Sequence, residues 1–454
     1  MKNPSISIIG LGFVGLTLAV INATKGFKTI GVDNNKEKIN SLKKSKSDFY
    51  EPQLDTKLRS AINSKHISFT TNIQEAINNS EITFLTVGTP LKKSGKIDLR
   101  FIKTASQQIL DAIHSKKKYQ LLVVKSTLPP LTTQKMILPV FKNLIQSGKM
   151  DVVLNPEFLR EGFAIKDLLE PHLIVIGAYN KKSGDFLEKY YRKFYKKIPE
   201  IIRTDLGSAE LIKYANNAFL ATKISFINSI ANICQTIPGA DVNIIADAIG
   251  KDPRIGSLFL KAGPGFGGSC LPKDLMGLIS YSKTLSDSSK LFEAVKDVND
   301  LQPKRIIDLM KQMKVYNKGK TVSILGLAFK KDTDDIRETV SIKIVKNLLK
   351  SGIKVRVNDP MAMQNFEKLF GKKIKYSKSI SSCLKNSDCC IILTEWDEYK
   401  KLTENIFRRN MKTSRVIDAR RILNPEKFSK IEFKALGLGD KIISINVSKY
   451  NELT

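Results

Sequence analysis

The stretch SISIIGLGFVG at residues 5–15 decides the fold, because it joins an apolar, β-favouring run to a glycine-rich turn. The residues that follow, LTLAVINATKG at 16–26, are compatible with a helix. Gly10 allows the turn, Gly12 lets a pyrophosphate approach the backbone, and Gly15 permits close packing of the helix on the strand. A helix N-terminus also faces negative charge favourably. The pattern predicts the first strand, turn and helix of a dinucleotide-binding domain.

The next predicted strand covers residues 28–32 and is followed directly by Asp33. A carboxylate at this point can accept hydrogen bonds from an adenosine ribose and repels a 2′-phosphate. This favours NAD over NADP. Lys38 lies nearby in the sequence and weakens the prediction slightly, because a cation could tolerate a phosphate.

Further strands are predicted at 82–87, 121–125, 151–154 and 173–176, each followed by a polar or Gly/Pro segment. Three of these strand ends carry GTP at 88–90, ST at 126–127 and NPEFLREG at 155–162, where open α/β sheets hold ligands. Taken alone, Thr89 and Ser126 fit ordinary turn and cap chemistry. Glu157 sits between a proline and an apolar pair, which is unusual for a surface charge.

A long helical pattern without Pro or Gly covers about residues 208–236, and a second helical segment begins at Val242. Lys213 and Asn217 are four residues apart and therefore share a face. They could aim a cation and an amide into one pocket. The alternatives are a solvated stripe or an interhelical contact in a dimer.

The loop GPGFGGSCLPKD at 263–274 is rich in glycine and proline and presents Cys270, followed by Lys273 and Asp274. A nearby cation favours the thiolate, and a carboxylate can accept or relay a proton, so this loop suggests a nucleophile. The alternative is a loop packed around a small buried cysteine.

A second strand and turn at 321–330, TVSILGLAFK, repeats the first with Ala328 in place of the second glycine. Pyrophosphate should approach less closely here, while Lys330 and Arg337 offer side-chain cations. Strands predicted at 354–358, 389–393 and 416–418 complete a second nucleotide-type domain, with Cys389 and Cys390 as small core residues.

Composition limits the alternatives. The 454 residues, 42% hydrophobic and 26% charged, suit about three globular domains. Five cysteines without CxxC spacing indicate neither a disulfide framework nor a metal site, and fit a reducing cytoplasm. The net charge of +31 raises nucleic acid as a partner, but the basic runs at 116–118 and 189–197 are short and no nucleic-acid or membrane-spanning signature accompanies them.

Over nearly its full length the chain resembles the nucleotide-sugar 6-dehydrogenase family, and within it the UDP-glucose 6-dehydrogenases. The resemblance is carried, in the family's order, by GLGFVG, VGTP, KST, NPEFLREG, AELIKYANNAFLATKISFIN, DPRIG, FLKAGPGFGGSCLPKD, ILGLAFKKDTDDIRET and DAR. It implies two Rossmann-like doubly wound domains joined by a central helical region with a long helix. The implied divisions are an NAD-binding domain at 1–203, a helical dimerisation and active-site domain at 204–302, and a UDP-sugar-binding domain at 303–454.

The resemblance also implies residue roles. Cys270 would be the nucleophile and Glu157 the acid/base residue, with Lys213, Asn217 and Asp274 around the reacting carbon and Thr127 positioning water. Cofactor-binding positions would be Gly10, Gly12, Phe13, Val14, Gly15, Asp33, Lys38, Thr89, Ser126, Glu161, Lys273 and Arg337. Substrate-binding positions would be Phe158, Leu159, Lys213, Asn217, Arg254, Lys261, Gly265, Phe266, Gly267, Lys330 and Arg420, with Arg254 supplied by a neighbouring subunit.

The implied reaction is a four-electron oxidation of UDP-glucose to UDP-glucuronate with NAD, through a thiohemiacetal and a thioester of Cys270. The implied assembly is a homodimer or larger. Two alternatives stay open: a relative acting on GDP-mannose or another nucleotide sugar, and a nucleotide-binding protein without activity. His172 and Leu173, where the family usually has an Asp-Arg pair, and Pro238 depart from the pattern without removing a proposed catalytic group.

Overall fold

The computed structural model describes residues 3–113, 116, 118–285 and 289–440. Lys117 of the basic run at 116–118 and the tail after Asp440 lie outside this range. The chain divides into two compact units. The first comprises residues 1–216 and 276–287, and the second comprises residues 217–275 and 288–454.

The first unit is built on one eight-stranded sheet with the order β3-β2-β1-β4-β5-β6-β7-β8. Its strands are β1 Ile6–Ile9, β2 Thr29–Val32, β3 Ile67–Thr70, β4 Ile82–Leu85, β5 Gln120–Val124, β6 Met150–Leu154, β7 Leu173–Ala178 and β8 Glu200–Thr204. Neighbouring strands are parallel except for β6 and β7, which are antiparallel. The first six strands follow the order of dinucleotide-binding domains, in which β1 and β4 adjoin at the point where the strand order reverses.

Helices cover both faces of this sheet, which explains why its central strands β1, β4 and β5 are buried along their whole length. The helices are α1 Phe13–Thr24, α2 Lys36–Lys43, α3 Leu54–Asn63, α4 Ile73–Asn78, α5 Arg100–Ile113, α6 Leu138–Val140, α7 Lys142–Gln146, α8 Ala164–Leu169 and α9 Lys181–Phe194, with a π-helical turn at Thr133–Ile137. Ile6 and Ile8 of β1 are fully buried in one hydrophobic cluster with α1. Burying one such side chain stabilises the fold by about 1.5–3 kcal/mol.

Three helices in the middle of the chain carry or flank residues of the predicted site. Helix α10, Leu206–Cys234, confirms the helix predicted near 208–236, and the side chain of Asp205 caps its start by accepting the Ser208 N–H at 2.9 Å. Helix α11, Val242–Gly250, and helix α12, Leu271–Ser282, follow. Helices α10 and α12 each have residues in both units.

The second unit contains a six-stranded sheet of parallel neighbours with the order β11-β10-β9-β12-β13-β14. Its strands are β9 Thr321–Leu325, β10 Lys354–Asn358, β11 Lys375–Tyr376, β12 Cys389–Ile392, β13 Arg415–Asp418 and β14 Glu432–Ala435. Its further helices are α13 Lys290–Gln312, α14 Val340–Lys350, α15 Met363–Phe370, α16 Ile380–Leu384 and α17 Glu404–Asn410, with 3₁₀ turns at Gly371–Lys373, Tyr399–Lys401 and Pro425–Lys427. The 3₁₀ turn at Lys283–Leu285 belongs to the first unit. The predicted pair of doubly wound α/β domains with a helical central region is confirmed.

Helix α13 has a proline in its interior. The helix begins at Lys290 and runs through Pro303. Pro303 has no N–H to donate to the carbonyl of Asn299, one turn earlier. That carbonyl lies 3.3 Å from where a Cβ atom on Gly265 would stand. The proline is therefore tolerated at a place where the cysteine-bearing loop packs on the helix.

Candidate active site

The glycine turn between β1 and α1 has the geometry that a dinucleotide needs. Gly10 has a positive φ of 95°, and a Cβ atom on Gly15 would lie 1.9 Å from the Gly10 carbonyl oxygen. At Gly12 a Cβ atom would meet no described atom within 4 Å, so the backbone is open on that side. Gly12 is also the N-cap of α1. Because Gly12 has no side chain, none from this position covers the backbone amides of Phe13 and Val14. These residues fit a pyrophosphate at a helix N-terminus.

Asp33 follows β2 and is joined to the glycine turn. Its Oδ2 accepts the Leu11 N–H at 3.0 Å, and its Oδ1 accepts the Asn35 N–H at 3.0 Å. Lys38 lies beside it, with Nζ 3.9 Å from Asp33 Oδ2 and 3.3 Å from the Leu11 carbonyl oxygen. The structure therefore brings Asp33 and Lys38 together at the carboxyl end of β2, as the sequence predicts.

The other strand ends carry the predicted polar residues. Thr89 and Ser126 are buried, and Thr127 and Glu161 are half-buried. The Ser126 hydroxyl donates to the Val87 carbonyl oxygen at 2.7 Å. This is the turn chemistry that Ser126 suggests when it is considered alone.

Glu157 lies in the loop after β6 with its side chain 8% exposed. Lys213 of α10 donates from Nζ to the Glu157 carbonyl oxygen at 2.7 Å and to its Oε1 at 3.1 Å. The Leu159 N–H donates to Oε2 at 2.6 Å. Burial opposes ionisation, but Lys213, the Leu159 amide and Lys125 outweigh it and lower the pKa of Glu157. Glu157 is therefore a carboxylate at neutral pH, in the form that can act as a base.

The Phe158 ring lies beside the ion pair of Glu157 and Lys213. Lys213 Nζ lies 5.3 Å from the centroid of the Phe158 ring. The ring of His172 packs edge-to-face on the same ring with centroids 5.7 Å apart. His172, which departs from the family pattern, therefore supports Phe158 from outside the loop.

Lys125 is a buried cation near Glu157 that the sequence did not single out. Its Nζ donates to Asn155 Oδ1 at 2.8 Å, and the Tyr191 hydroxyl donates to the same oxygen at 2.5 Å. Burial lowers the pKa of Lys125 to about 8, against the attraction of Glu157 and with the repulsion of Lys213. Its position directly after an apolar strand was the available signal, because the carboxyl ends of the strands hold the ligands in such sheets.

Glu51 holds the far end of the same loop and was also missed. It is 5% exposed, and its carboxylate accepts the Gly162 N–H at 2.7 Å and the Ile165 N–H at 3.4 Å. The loop from Asn155 to Gly162 is thus fixed at both ends by buried ionisable groups. Glu51 lies more than a hundred residues before its partners, so no local spacing could reveal it.

In the second unit, Asn217, Lys273 and Asp274 come together. The Asn217 amide donates to Asp274 Oδ2 at 2.6 Å, and Lys273 donates to Asp274 Oδ1. Asp274 is 1% exposed. A buried carboxylate with a cation on one oxygen fixes the orientation of the Asn217 amide on the other.

Cys270 directly precedes α12, and its carbonyl oxygen accepts the Asp274 N–H at 2.8 Å. It carries a half-buried thiol, while the other four cysteines are buried. The N-terminus of a helix favours negative charge on a sulfur placed there. Position and exposure therefore favour the predicted nucleophile over a packed structural cysteine.

Two close contacts fix the loop that carries Cys270. A Cβ atom on Gly267 would lie 2.4 Å from the Glu338 carbonyl oxygen, so only glycine fits. The Phe266 N–H donates to Asn299 Oδ1 at 2.7 Å, and the Asn299 amide donates back to the Phe266 carbonyl oxygen at 3.1 Å. The loop is held against α13 and against the segment between β9 and α14.

The predicted substrate cations are arranged less uniformly. Arg420 donates to the carbonyl oxygens of Leu393 at 2.7 Å and Phe329 at 2.9 Å. Lys330 Nζ lies 5.7 Å from the centroid of the Phe329 ring. Two further predicted substrate cations are exposed: Lys261, and Arg254, whose guanidinium pairs with Asp252. Arg337, which is predicted to contact the cofactor, is also exposed, and its guanidinium pairs with Asp335.

The turn after β9 differs from its counterpart in the first unit through Asp359. This carboxylate is 4% exposed, and its Oδ2 accepts the N–H groups of Leu327 at 2.7 Å and Ala328 at 3.2 Å, and the Trp396 indole N–H at 3.0 Å. Asp33 in the first unit accepts the Leu11 N–H in the same way, but the Oδ2 atom of Asp359 is also occupied by the Ala328 and Trp396 donors. The second turn therefore repeats the first only in part.

Comparison with known proteins identifies the class. The chain matches the models of the UDP-glucose/GDP-mannose dehydrogenase family: the NAD binding domain at residues 4–195, the central domain at 207–301 and the UDP binding domain at 323–425. The chain belongs to this family. It is an NAD-dependent oxidoreductase with NAD as its cofactor.

Individual relatives cover nearly all of the chain. It is 41% identical over 441 residues to a UDP-glucose 6-dehydrogenase of Rickettsia bellii, covering 96% of this chain and 100% of the relative. It is 39% identical to the UDP-glucose 6-dehydrogenase TuaD of Bacillus subtilis, covering 93% and 90% of the two chains. The solved structure of a UDP-glucose dehydrogenase from Pyrobaculum islandicum is similar with a TM-score of 0.89 and 34% identity, covering 96% of this chain and 98% of the other.

Proposed function

We propose that the protein oxidises UDP-glucose to UDP-glucuronate with NAD, and that Cys270 holds the sugar covalently between two oxidations. The observation that carries the proposal is the buried pair of Glu157 and Lys213, because a carboxylate kept ionised in a water-poor site is what hydrolysis of an acylated cysteine needs. The relatives named above act on UDP-glucose by their names, which supports the choice of sugar.

NAD would be held by the glycine turn and Asp33, with Lys38 beside them, and the cofactor set extends to Thr89, Ser126, Glu161, Lys273 and Arg337. When bound, NAD supplies the hydride acceptor for each oxidation. The open backbone at Gly12 and the N-terminus of α1 support the pyrophosphate contact.

Cys270 accounts for oxidation beyond the aldehyde. Loss of one hydride and one proton from the C6 alcohol leaves an aldehyde. The sulfur then forms a bond to that carbon, and the aldehyde oxygen takes a proton to give a thiohemiacetal. Loss of a second hydride from the same carbon, with the hydroxyl proton, gives a thioester.

Glu157 would take a proton from the water that attacks the thioester, with Thr127 positioning that water. The carbon–sulfur bond breaks, the sulfur leaves as thiolate, and the sugar leaves as carboxylate. Lys213 and Asn217 would stabilise the oxyanions that form at this carbon. The hydrogen bond from Asn217 to Asp274 supports this role, because it leaves the Asn217 amide in one orientation.

The nucleotide sugar would be held by the glycine loop before Cys270 and by cations of the second unit. The set comprises Phe158, Leu159, Arg254, Lys261, Gly265, Phe266, Gly267, Lys330 and Arg420. The fixed guanidinium of Arg420 supports its inclusion, since two backbone carbonyls already orient it. Arg254 is largely exposed, which is compatible with donation to a neighbouring subunit.

We infer a division into segments 1–203, 204–302 and 303–454, which agrees in order with the matched family models.

We also infer that the protein forms at least a homodimer. Phe219, Phe226 and Ile233 of α10 are seven residues apart and 65%, 51% and 55% exposed. Apolar side chains at this spacing form one stripe along a helix, as in paired helices. A reducing, cytoplasmic location fits a catalytic thiol. Among the described residues, no helix is long and apolar enough to cross a membrane.

The deciding experiment supplies limiting UDP-glucose, GDP-mannose or UDP-N-acetylmannosamine and counts NADH formed per sugar. Two NADH per UDP-glucose, with UDP-glucuronate as the product, is expected. A ratio of one NADH per sugar, with free aldehyde as the product, would contradict the role of Cys270. A higher rate with GDP-mannose than with UDP-glucose would contradict the choice of sugar. No NADH with any sugar would favour a nucleotide-binding protein without activity.

A further inference from the structure

Three charged side chains meet at the carboxyl end of β2, and one of them, Asp48, has had no role so far. The Lys38 Nζ lies 3.0 Å from Asp48 Oδ2, closer than its 3.9 Å to Asp33 Oδ2. The same ammonium donates to the Leu11 carbonyl oxygen of the glycine turn at 3.3 Å. Asp48 lies in the segment between α2 and α3, so Lys38 forms this ion pair with a part of the chain outside its own helix.

We propose that Asp48 is a specificity-determining residue for the cofactor: it engages the ammonium of Lys38 and so keeps that cation from pairing with the 2′-phosphate of NADP. The proposal rests on the proposed contacts of Asp33 and Lys38 with the adenosine ribose. Asp48 acts through Lys38 and is therefore a positioning residue.

The charges around Lys38 support this reading. Asp33 and Asp48 carry two negative charges against the one positive charge of Lys38, so the cluster has a net charge of −1. Lys38 and Asp33 are only 18% and 13% exposed, so solvent screens their interaction less than it screens a free surface pair. A 2′-phosphate would meet a net negative cluster, whereas the 2′-hydroxyl of NAD can donate to Asp33.

Asp48 also decides what Lys38 can do. Sequence alone leaves Lys38 as a cation that tolerates a phosphate. In the structure its ammonium already faces two carboxylates and a carbonyl oxygen, so a phosphate would have to displace one of them. Neutralising Asp48 brings the cluster to zero charge and frees one N–H direction of Lys38. Neutralising Asp33 and Asp48 together brings it to +1.

Asp48 is a practical position to test, because its side chain is 43% exposed and its replacement removes little packing. Asp48→Asn keeps the size and removes the charge. Asp48→Glu keeps the charge and should restore the wild-type preference. Lys38→Met removes the cation through which Asp48 acts.

Two measurements are made on the full-length protein. The first is kcat/KM for NADP relative to NAD with UDP-glucose. The second, which does not need turnover, is calorimetric affinity for adenosine 2′,5′-bisphosphate relative to 5′-AMP. Asp48→Asn should raise both ratios about three- to fivefold at low salt, the range expected when one partly exposed ion pair is removed. The gain should shrink as salt is added, and Asp33→Ser with Asp48→Asn should exceed either single change.

The Lys38→Met background separates the two ways in which Asp48 could act. There, Asp48→Asn should give little gain, because the cation that it releases is absent. An equal gain from Asp48→Asn in the Lys38→Met background would overturn the proposal that Asp48 acts through Lys38. Unchanged NADP-to-NAD ratios in the Asp48→Asn single variant would overturn it too, and so would an Asp48→Glu variant with the same ratios as Asp48→Asn. The mononucleotide measurement still reports on Asp48 if the protein oxidises no nucleotide sugar, so failure of the proposed function is distinguishable.

Discussion

The ammonium of Lys213 lies 2.7 Å from the backbone carbonyl oxygen of Glu157 and 3.1 Å from its carboxylate. One buried cation thus fixes both the path of the loop and the charge of the side chain. A group that must stabilise an oxyanion and keep a base ionised can do both only if it stays protonated. The two contacts to Glu157 hold the Lys213 side chain in one position.

Replacing Glu157 with Gln should uncouple oxidation from hydrolysis. The amide keeps the size of the side chain but cannot take a proton from water. Oxidation should proceed until Cys270 is acylated and then stall, giving a burst of NADH close to two per active site. Mass spectrometry of the peptide that contains Cys270 should show the sugar adduct.

Glu170→Gln is the matched control, because Glu170 is an exposed residue just after α8. This variant should turn over normally and accumulate no adduct. Steady turnover of Glu157→Gln without an adduct would show that another group activates the water. The loop from Asn155 to Gly162 would then have a binding role.

Cys270→Ser should lose overall turnover for a different reason. An alkoxide is harder to form than a thiolate, and an ester is a poorer acyl donor than a thioester. In protein with the native cysteine, brief alkylation by iodoacetamide should label Cys270 ahead of the four buried cysteines and abolish activity in proportion. Full activity after complete labelling of Cys270, or in Cys270→Ser, would rule out covalent catalysis.

The sequence predicted those parts of the site that local patterns define. The glycine turn, Asp33 and the Cys270 loop each follow from short motifs in which a few residue types impose a geometry. Helix α10 follows from a long periodic pattern. These features depend on neighbours within a few residues, so one sequence is enough to find them.

The missed features depend on distant contacts. Lys125 and Glu51 gain their roles from partners that are distant in the sequence, and only the position of Lys125 directly after an apolar strand gave a local sign. Strands β3 and β8 lie at the two edges of the first sheet, where alternating or mostly exposed residues give a weak signal.

Lys125→Met should shift the pH dependence of thioester hydrolysis. Lys125 helps to lower the pKa of Glu157, so removing this charge should raise that pKa and move the acidic limb of the rate profile to higher pH. Single-turnover hydrolysis measured across pH would detect the shift. Lys125→Arg keeps the charge and should retain the original limb. An unmoved limb in Lys125→Met would mean that Lys125 only holds Asn155.

Phe226→Glu should weaken the assembly inferred for α10. A charge in the middle of an apolar stripe must be desolvated when the stripe is covered. Light scattering should show a smaller mass at low micromolar concentration. Phe101→Glu is the matched control, because Phe101 is 52% exposed on α5, against 51% for Phe226. If both variants keep the wild-type mass, the stripe is not an interface.

Glu210→Gln should change how stability depends on pH. Glu210 is 2% exposed, and its Oε1 accepts the Thr133 N–H and hydroxyl, each at 2.7 Å. Burial, opposed by these hydrogen bonds, raises its pKa to about 7 from the ordinary 4.5. Between these two values the folded protein binds more protons than the unfolded chain, so stability falls as pH rises through this window and levels off above about 7.

The size of this effect follows from the shift of about 2.5 pKa units, which corresponds to about 3 kcal/mol. Urea unfolding at pH 5 and pH 8 would measure it. The wild-type protein should lose stability relative to Glu210→Gln as the pH rises, because the neutral amide has no proton to release. Glu170→Gln, which changes an exposed side chain, should show no such pH-dependent difference. A gap between wild type and Glu210→Gln that is the same at both pH values would mean that Glu210 ionises in the folded protein as it does in the unfolded chain.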